Sequence, residues 1–132
     1  MTSTSTSTGL HFGGLLLRGL LTAVFVTAAG MKLAALPFEV AGFARFGYPL
    51  WFMYMVGAAQ LLGAALLWGR GTVAHGALLL AAVMVGAAFS HLRAGDPAVM
   101  ALPALVLLGF LAGLVYARRG ELVPARLQAS RA

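Results

Sequence analysis

Residues 50–68 read LWFMYMVGAAQLLGAALLW, a run with no charged side chain and one amide, Gln60. At a rise of ~1.5 Å per residue a helix of this length reaches close to 30 Å, the thickness of bilayer hydrocarbon. The stretch is therefore read as a membrane-crossing helix, and the rest of the chain falls into place around it. Toward the N-terminus, residues 13–33 form a second apolar run, interrupted by Arg18 and closed by Lys32. Toward the C-terminus, residues 73–92 and 98–117 form two more. The connections between the last three runs, at Arg70 and at 93–97, are too short to hold a domain.

Composition supports lipid as the solvent. Of 132 residues 61% are hydrophobic and 9% charged, with a mean hydropathy of +0.95. A soluble domain carries about 25% charged residues, and a small one exposes too much surface to hide this much apolar area. The expected fold is all-α: an integral membrane four-helix bundle with a short interfacial helix between helices 1 and 2. That short helix is expected to begin at Pro37, which suits a first helical turn, and to carry Phe38, Phe43 and Phe46 beside Glu39 and Arg45.

Three regions follow. Residues 1–12 begin with alternating Ser and Thr and are expected to be a disordered leader, residues 13–117 the transmembrane domain, and residues 118–132 a basic cytoplasmic tail. The first apolar run lacks the basic region that precedes a cleaved secretory signal and is expected to be retained. Four crossings put both termini and Arg70 on one side. Six basic residues then lie there (Arg18, Arg70, Arg118, Arg119, Arg126, Arg131) against Lys32, Arg45 and Arg93 on the other. The excess of basic residues predicts the cell (inner) membrane, multi-pass, with both termini cytoplasmic. Tyr48, Trp51, Trp68 and Tyr116 fall where aromatic side chains meet headgroups. Of the nine basic residues behind the net charge of +6, four lie in this tail, and no basic patch with interleaved aromatics stands elsewhere, so nucleic acid is not an expected partner. With no cysteine, the chain on its own makes no disulfide, thiol or thiolate-cluster chemistry.

Helices in lipid associate through small residues and polar contacts. Gly109 and Gly113, Ala59 and Gly63, and Ala82 and Gly86 are spaced as small-xxx-small steps. They are read as packing seams within the monomer, with a homo-oligomer through Gly109 and Gly113 as the other use. A charge at mid-membrane costs ~2.5–3.5 kcal/mol on insertion scales, which singles out polar residues at depth. Arg18, Thr22, Phe25, Ala29 and Lys32 share one helical face. Either both long cations bend toward their nearest interface, or the stripe faces the interior and Arg18 bonds Gln60. His91 shares the outer end with Lys32, Glu39, Arg45, Arg93 and Asp96, a group that is either a ligand or proton site or a solvated network. His11 and His75 are expected at the inner surface. No nucleotide-loop, zinc-protease or catalytic-triad pattern is present.

The order Leu17-Arg18, Ala29-Gly30-Met31-Lys32-Leu33, Phe46-Gly47-Tyr48-Pro49, Gly57 and Gly63, Met84-Val85-Gly86-Ala87 and His91-Leu92-Arg93-Ala94-Gly95-Asp96-Pro97 resembles the DoxX-like family of small four-helix membrane proteins. The resemblance covers residues 14–117 and implies Arg18, Lys32, Gln60 and His91 as ligand or polar intramembrane positions. It departs at Gln60, where the family pattern usually has an acidic residue. It implies an accessory subunit of a membrane-bound, quinone-linked redox assembly, with a redox protein partner and a quinone-sized cleft. The chain is expected to be a helper with no intrinsic cofactor, catalytic residue or metal, not an enzyme by itself. The alternative is a membrane binding or transport module for a small apolar or anionic molecule.

Overall fold

The computed structural model describes residues 2–124 and 127. Among them are five α-helices and no strand: α1 (Thr2–Leu33), α2 (Pro37–Arg45), α3 (Leu50–Leu66), α4 (Val73–Arg93) and α5 (Leu102–Ala117), with 3₁₀ turns at Ala98–Met100 and Arg119–Leu122. The rest of the basic tail, Arg126 and Arg131 included, lies outside the described residues. Helix α1 runs back through the Ser/Thr stretch to Thr2, since extending a nucleated helix is far cheaper than starting one. Its portion His11–Leu33 and helix α4 are each long and apolar enough to cross a membrane. Helices α2 and α3 form a pair bent by 113° that is a third such element when taken as one broken span, and α5 is apolar but shorter.

Three of the turns share one device. After α2, Gly47 (φ +86°) places its N–H on the carbonyl of Ala44 and the next N–H, of Tyr48, on that of Phe43. After α4, Gly95 (φ +75°) does the same with Leu92, and Asp96 N–H reaches the His91 carbonyl. This paired capping consumes helix-end carbonyls that would otherwise be orphaned, and glycine enters the left-handed region without a Cβ penalty. The turn after α1 repeats the pattern with Ala35 (φ +53°) in the glycine position. Each turn aims the residue that follows it, and Tyr48 and Asp96 reach the site in this way.

Extensive packing joins α1 to α3, α3 to α4 and α4 to α5. Leu21, Phe25 and Ala29 are the buried stripe of α1; Met53, Gly57, Gln60 and Ala64 that of α3; Ala77, Leu80, Met84 and Ala88 that of α4. The opposite faces carry exposed large apolar side chains, among them Leu16, Leu20, Leu62, Phe89, Val106 and Phe110. Apolar faces pointing outward are what hydrocarbon solvation allows and water does not.

The α3–α4 crossing is close. A Cβ on Gly76 would lie 2.6 Å from the Gly63 carbonyl oxygen and 2.8 Å from Leu66 Cβ, and one on Gly63 would lie 2.6 Å from Leu80 Cγ. The small residue at 63 is thus a packing seam, completed by Gly76. Gly109, Gly113 and Gly86 are exposed with open space beside them, which corrects the reading of those steps as seams within the monomer. Helix α5 packs instead through Ala104, Leu111 and Leu114.

Candidate functional site

Where α1 ends and α3 begins, a cavity of about 450 Å³ opens between α2, α3 and α4. Its walls are apolar: Phe52, Met55, Val56 and Ala59 from α3, and Ala82, Val83, Gly86 and Ala87 from α4. Helix α2 crosses above them and contributes Glu39 and Phe43, followed by Phe46 and Tyr48. The rings of Phe43, Tyr48 and Phe52 are mutually tilted at centroid separations of 5.0–6.3 Å, giving the cavity one aromatic side.

Polar groups enter at defined points. Gly57 lacks a Cβ where one would stand 3.2 Å from Lys32 Cβ, so α1 comes close enough to lay Lys32 against α3, one turn before Gln60. The Lys32 ammonium lies 3.3 Å from Glu39 Oε1, and both side chains are nearly buried, at 12% and 13% exposure. Ser90 donates its proton to the Gly86 carbonyl at 2.7 Å. The Tyr48 hydroxyl therefore donates to Ser90 Oγ, also at 2.7 Å. His91 Nδ1 is 2.7 Å from Asp96 Oδ2, with its ring edge-on to Phe46 at 5.1 Å. Gln60, deeper along α3, is 2% exposed, and its Oε1 has no hydrogen-bond partner.

The rim is pinned from outside. Arg45 forks onto Asp96 at 2.5 and 2.9 Å, and Arg93 donates to the Phe46 carbonyl while lying over the Tyr48 ring. The hydrogen bonds from Arg45, and next the contact with His91, hold the Asp96 carboxyl well below the usual range, at about 2.

Of the residues singled out in the sequence, Lys32, Gln60 and His91 line the cavity and Arg18 does not. Arg18 donates to the Leu67 carbonyl at 3.0 Å and lies 4.9 Å over the Trp68 ring, which overturns the expected bond to Gln60. Leu67 caps the C-terminal end of α3, where carbonyls lack intrahelical donors, so a cation there has a better acceptor than a mid-helix amide. Trp68 Nε1 donates to Thr22 Oγ1, which in turn donates to the Arg18 carbonyl. Sequence reasoning grouped Glu39 with Lys32 and His91 but missed Tyr48 and Ser90 as neighbours of the same cavity; the glycine after α2 was the signal that could have placed Tyr48.

No solved structure matches this chain. A Bacillus subtilis (strain 168) protein named uncharacterized protein YdgD is 34% identical over 92 residues, which is 65% of this chain and 81% of that one. The sequence model of the DoxX-like family matches residues 16–113, from just before Arg18 through the cavity residues into α5. On that match and that relative, this small membrane protein belongs to the DoxX-like family.

Proposed function

We propose that the chain is a membrane binding module whose cavity takes a small, largely apolar molecule through a polar head group. The observation that carries this reading is the meeting of Lys32, Gln60 and His91 in one apolar-walled space of about 450 Å³, within the size range of small-molecule sites. In this reading α1, α4, α5 and the bent α2–α3 pair cross the cell membrane as a four-helix bundle with both termini cytoplasmic, and the cavity opens near the outer leaflet. An accessory role in a quinone-linked redox assembly is a narrower case of it, since a quinone is an apolar ring with hydrogen-bonding oxygens, and a redox partner would then supply the electrons. The exposed Gly109 and Gly113 leave a smooth strip on α5 suited to a second copy.

The test is thermal unfolding of the detergent-purified chain with a short-tailed quinone analogue. A concentration-dependent rise in Tm that is lost in Phe52→Ala supports the cavity as a binding site, and an unchanged Tm across saturating analogue removes the quinone reading. Topology has its own test, since the chain is free of cysteine. Single cysteines at Thr72 and Ala94 should be labelled by an impermeant maleimide from opposite faces of the membrane.

A further inference from the structure

The charges around the cavity are already matched, and its one deep polar side chain is not. Lys32 is paired with Glu39, and the imidazole of His91 is held by Asp96. An anion entering the cavity would meet an ammonium already neutralised by a nearby carboxylate, and would give up its hydration without a free counter-charge. Gln60 offers the opposite case. Its Oε1 is an acceptor with no donor, sealed beneath the cavity surface; turning the amide about its last bond brings that oxygen to the cavity, where a ligand carrying a proton on oxygen or nitrogen removes the deficit. Toward the start of α3 the same cavity is walled by the rings of Phe43, Tyr48 and Phe52, a surface suited to a flat ring.

We infer that the cavity selects an uncharged, hydroxyl-bearing aromatic amphiphile, a membrane-soluble phenol whose hydroxyl donates to Gln60 Oε1, and that it discriminates against anions of the same size. The inference rests on the cavity being a ligand site, and narrows the ligand from apolar or anionic to neutral and hydrogen-bond donating. Gln60 is the specificity-determining residue: it does not supply the bulk of the affinity, which comes from the apolar walls, but chooses among molecules with the same tail. Glu39 has the second role, keeping Lys32 from recruiting acids.

The experiment compares three probes with one tail, 4-nonylphenol, its methyl ether and 4-nonylbenzoate, binding to the full chain in nanodiscs, with partition into empty discs subtracted. The wild-type chain should bind the phenol on the order of tenfold more tightly than the ether, one hydrogen bond in a dry site, and more tightly than the benzoate. Gln60→Leu should bind the ether as before and lose the preference for the phenol; Gln60→Met serves if the leucine variant does not fold. Glu39→Gln should improve benzoate binding while leaving the ratio of phenol to ether in place. Equal binding of phenol and ether by the wild-type chain overturns the inference, because it puts the amide nitrogen, or nothing, toward the ligand. So does a benzoate that binds as well as the phenol, or a phenol preference that survives in both Gln60 variants. Binding of none of the three probes is a different result: it removes the ligand site itself.

Discussion

Arg45 and Asp96, 51 positions apart, meet through two parallel hydrogen bonds of 2.5 and 2.9 Å that tie the end of α2 to the turn after α4. The fork fixes distance and angle together, which a single contact between long side chains does not. Because His91 holds the other side of the same carboxylate, the aromatic side of the cavity and its α4 wall are referenced to one acidic residue.

That dependence has a pH signature. A free Asp titrates near 3.9, and the folded value of about 2 lies below it. A depressed carboxyl contributes stability that is complete above the unfolded value and is lost as pH falls through the folded one. Thermal unfolding in detergent should therefore show Tm falling between about pH 4 and pH 2. Asp96→Asn should lower Tm at neutral pH and flatten this part of the profile. Parallel acid losses in both proteins would assign the effect to the other carboxylates, Glu39 and Glu121.

The glycines divide into two classes by what surrounds them. Gly76→Ala forces a methyl against the Gly63 carbonyl and Leu66, so α3 and α4 must separate at a cost of about 1–3 kcal/mol. Gly109→Ala and Gly113→Ala meet open space, and unfolding in SDS titrations should show them neutral or slightly stabilising. If the α5 variants instead lower the mass of a cross-linked species, their place is between copies of the chain.

Arg18 acts at the C-terminal end of α3 and Gln60 near its middle. Arg18→Leu removes the donor to Leu67 and the contact with Trp68, and should destabilise by about 1 kcal/mol. Gln60→Leu removes an acceptor that is buried and unpaired, and should stabilise the empty protein by about 1 kcal/mol or more. Their effects should sum in a double-mutant cycle, since Gln60 and Leu67 are separated by two turns of helix. A coupling energy well above ~0.5 kcal/mol would show that the two side chains share a partner.

The turn after α1 holds a further test. Ala35 occupies the left-handed region that glycine fills after α2 and α4. Ala35→Gly should raise stability by about 0.5–1 kcal/mol, the steric relief being partly offset by a more flexible unfolded chain. No gain in Tm would mean that the methyl group packs productively.

The apolar runs were legible because hydrophobic length is a one-dimensional signal, and helices over 50–66, 73–93 and 102–117 fall within a few residues of the runs read from composition. Lys32, Gln60 and His91 stood out for the same reason: a polar side chain in an apolar run costs energy and must have a partner or a use. What the sequence hid is facing. Gly109 and Gly113 carry the same spacing as Ala59 and Gly63, yet one step is exposed and the other contains a helix contact, because spacing says which residues share a face and not where that face points. Arg18 was misassigned since its acceptor is a backbone carbonyl, and every residue has one. The Glu121 carboxylate, accepting from Val73 N–H at 3.1 Å to close the start of α4, was hidden in a tail read only for its positive charge.

Helices α3 and α5 have 17 and 16 residues, about 24–26 Å by rise, whereas α4 has 21 and the apolar part of α1 has 23. A bilayer's mean hydrocarbon thickness is ~30 Å, so in the proposed four-span arrangement the two shorter helices would set the protein's match to its lipids. In membranes of longer acyl chains the mismatch would then fall on α5 and on α3, the helix that carries Gln60. Lipid tail length would thereby be a variable that reaches the cavity without any molecule entering it.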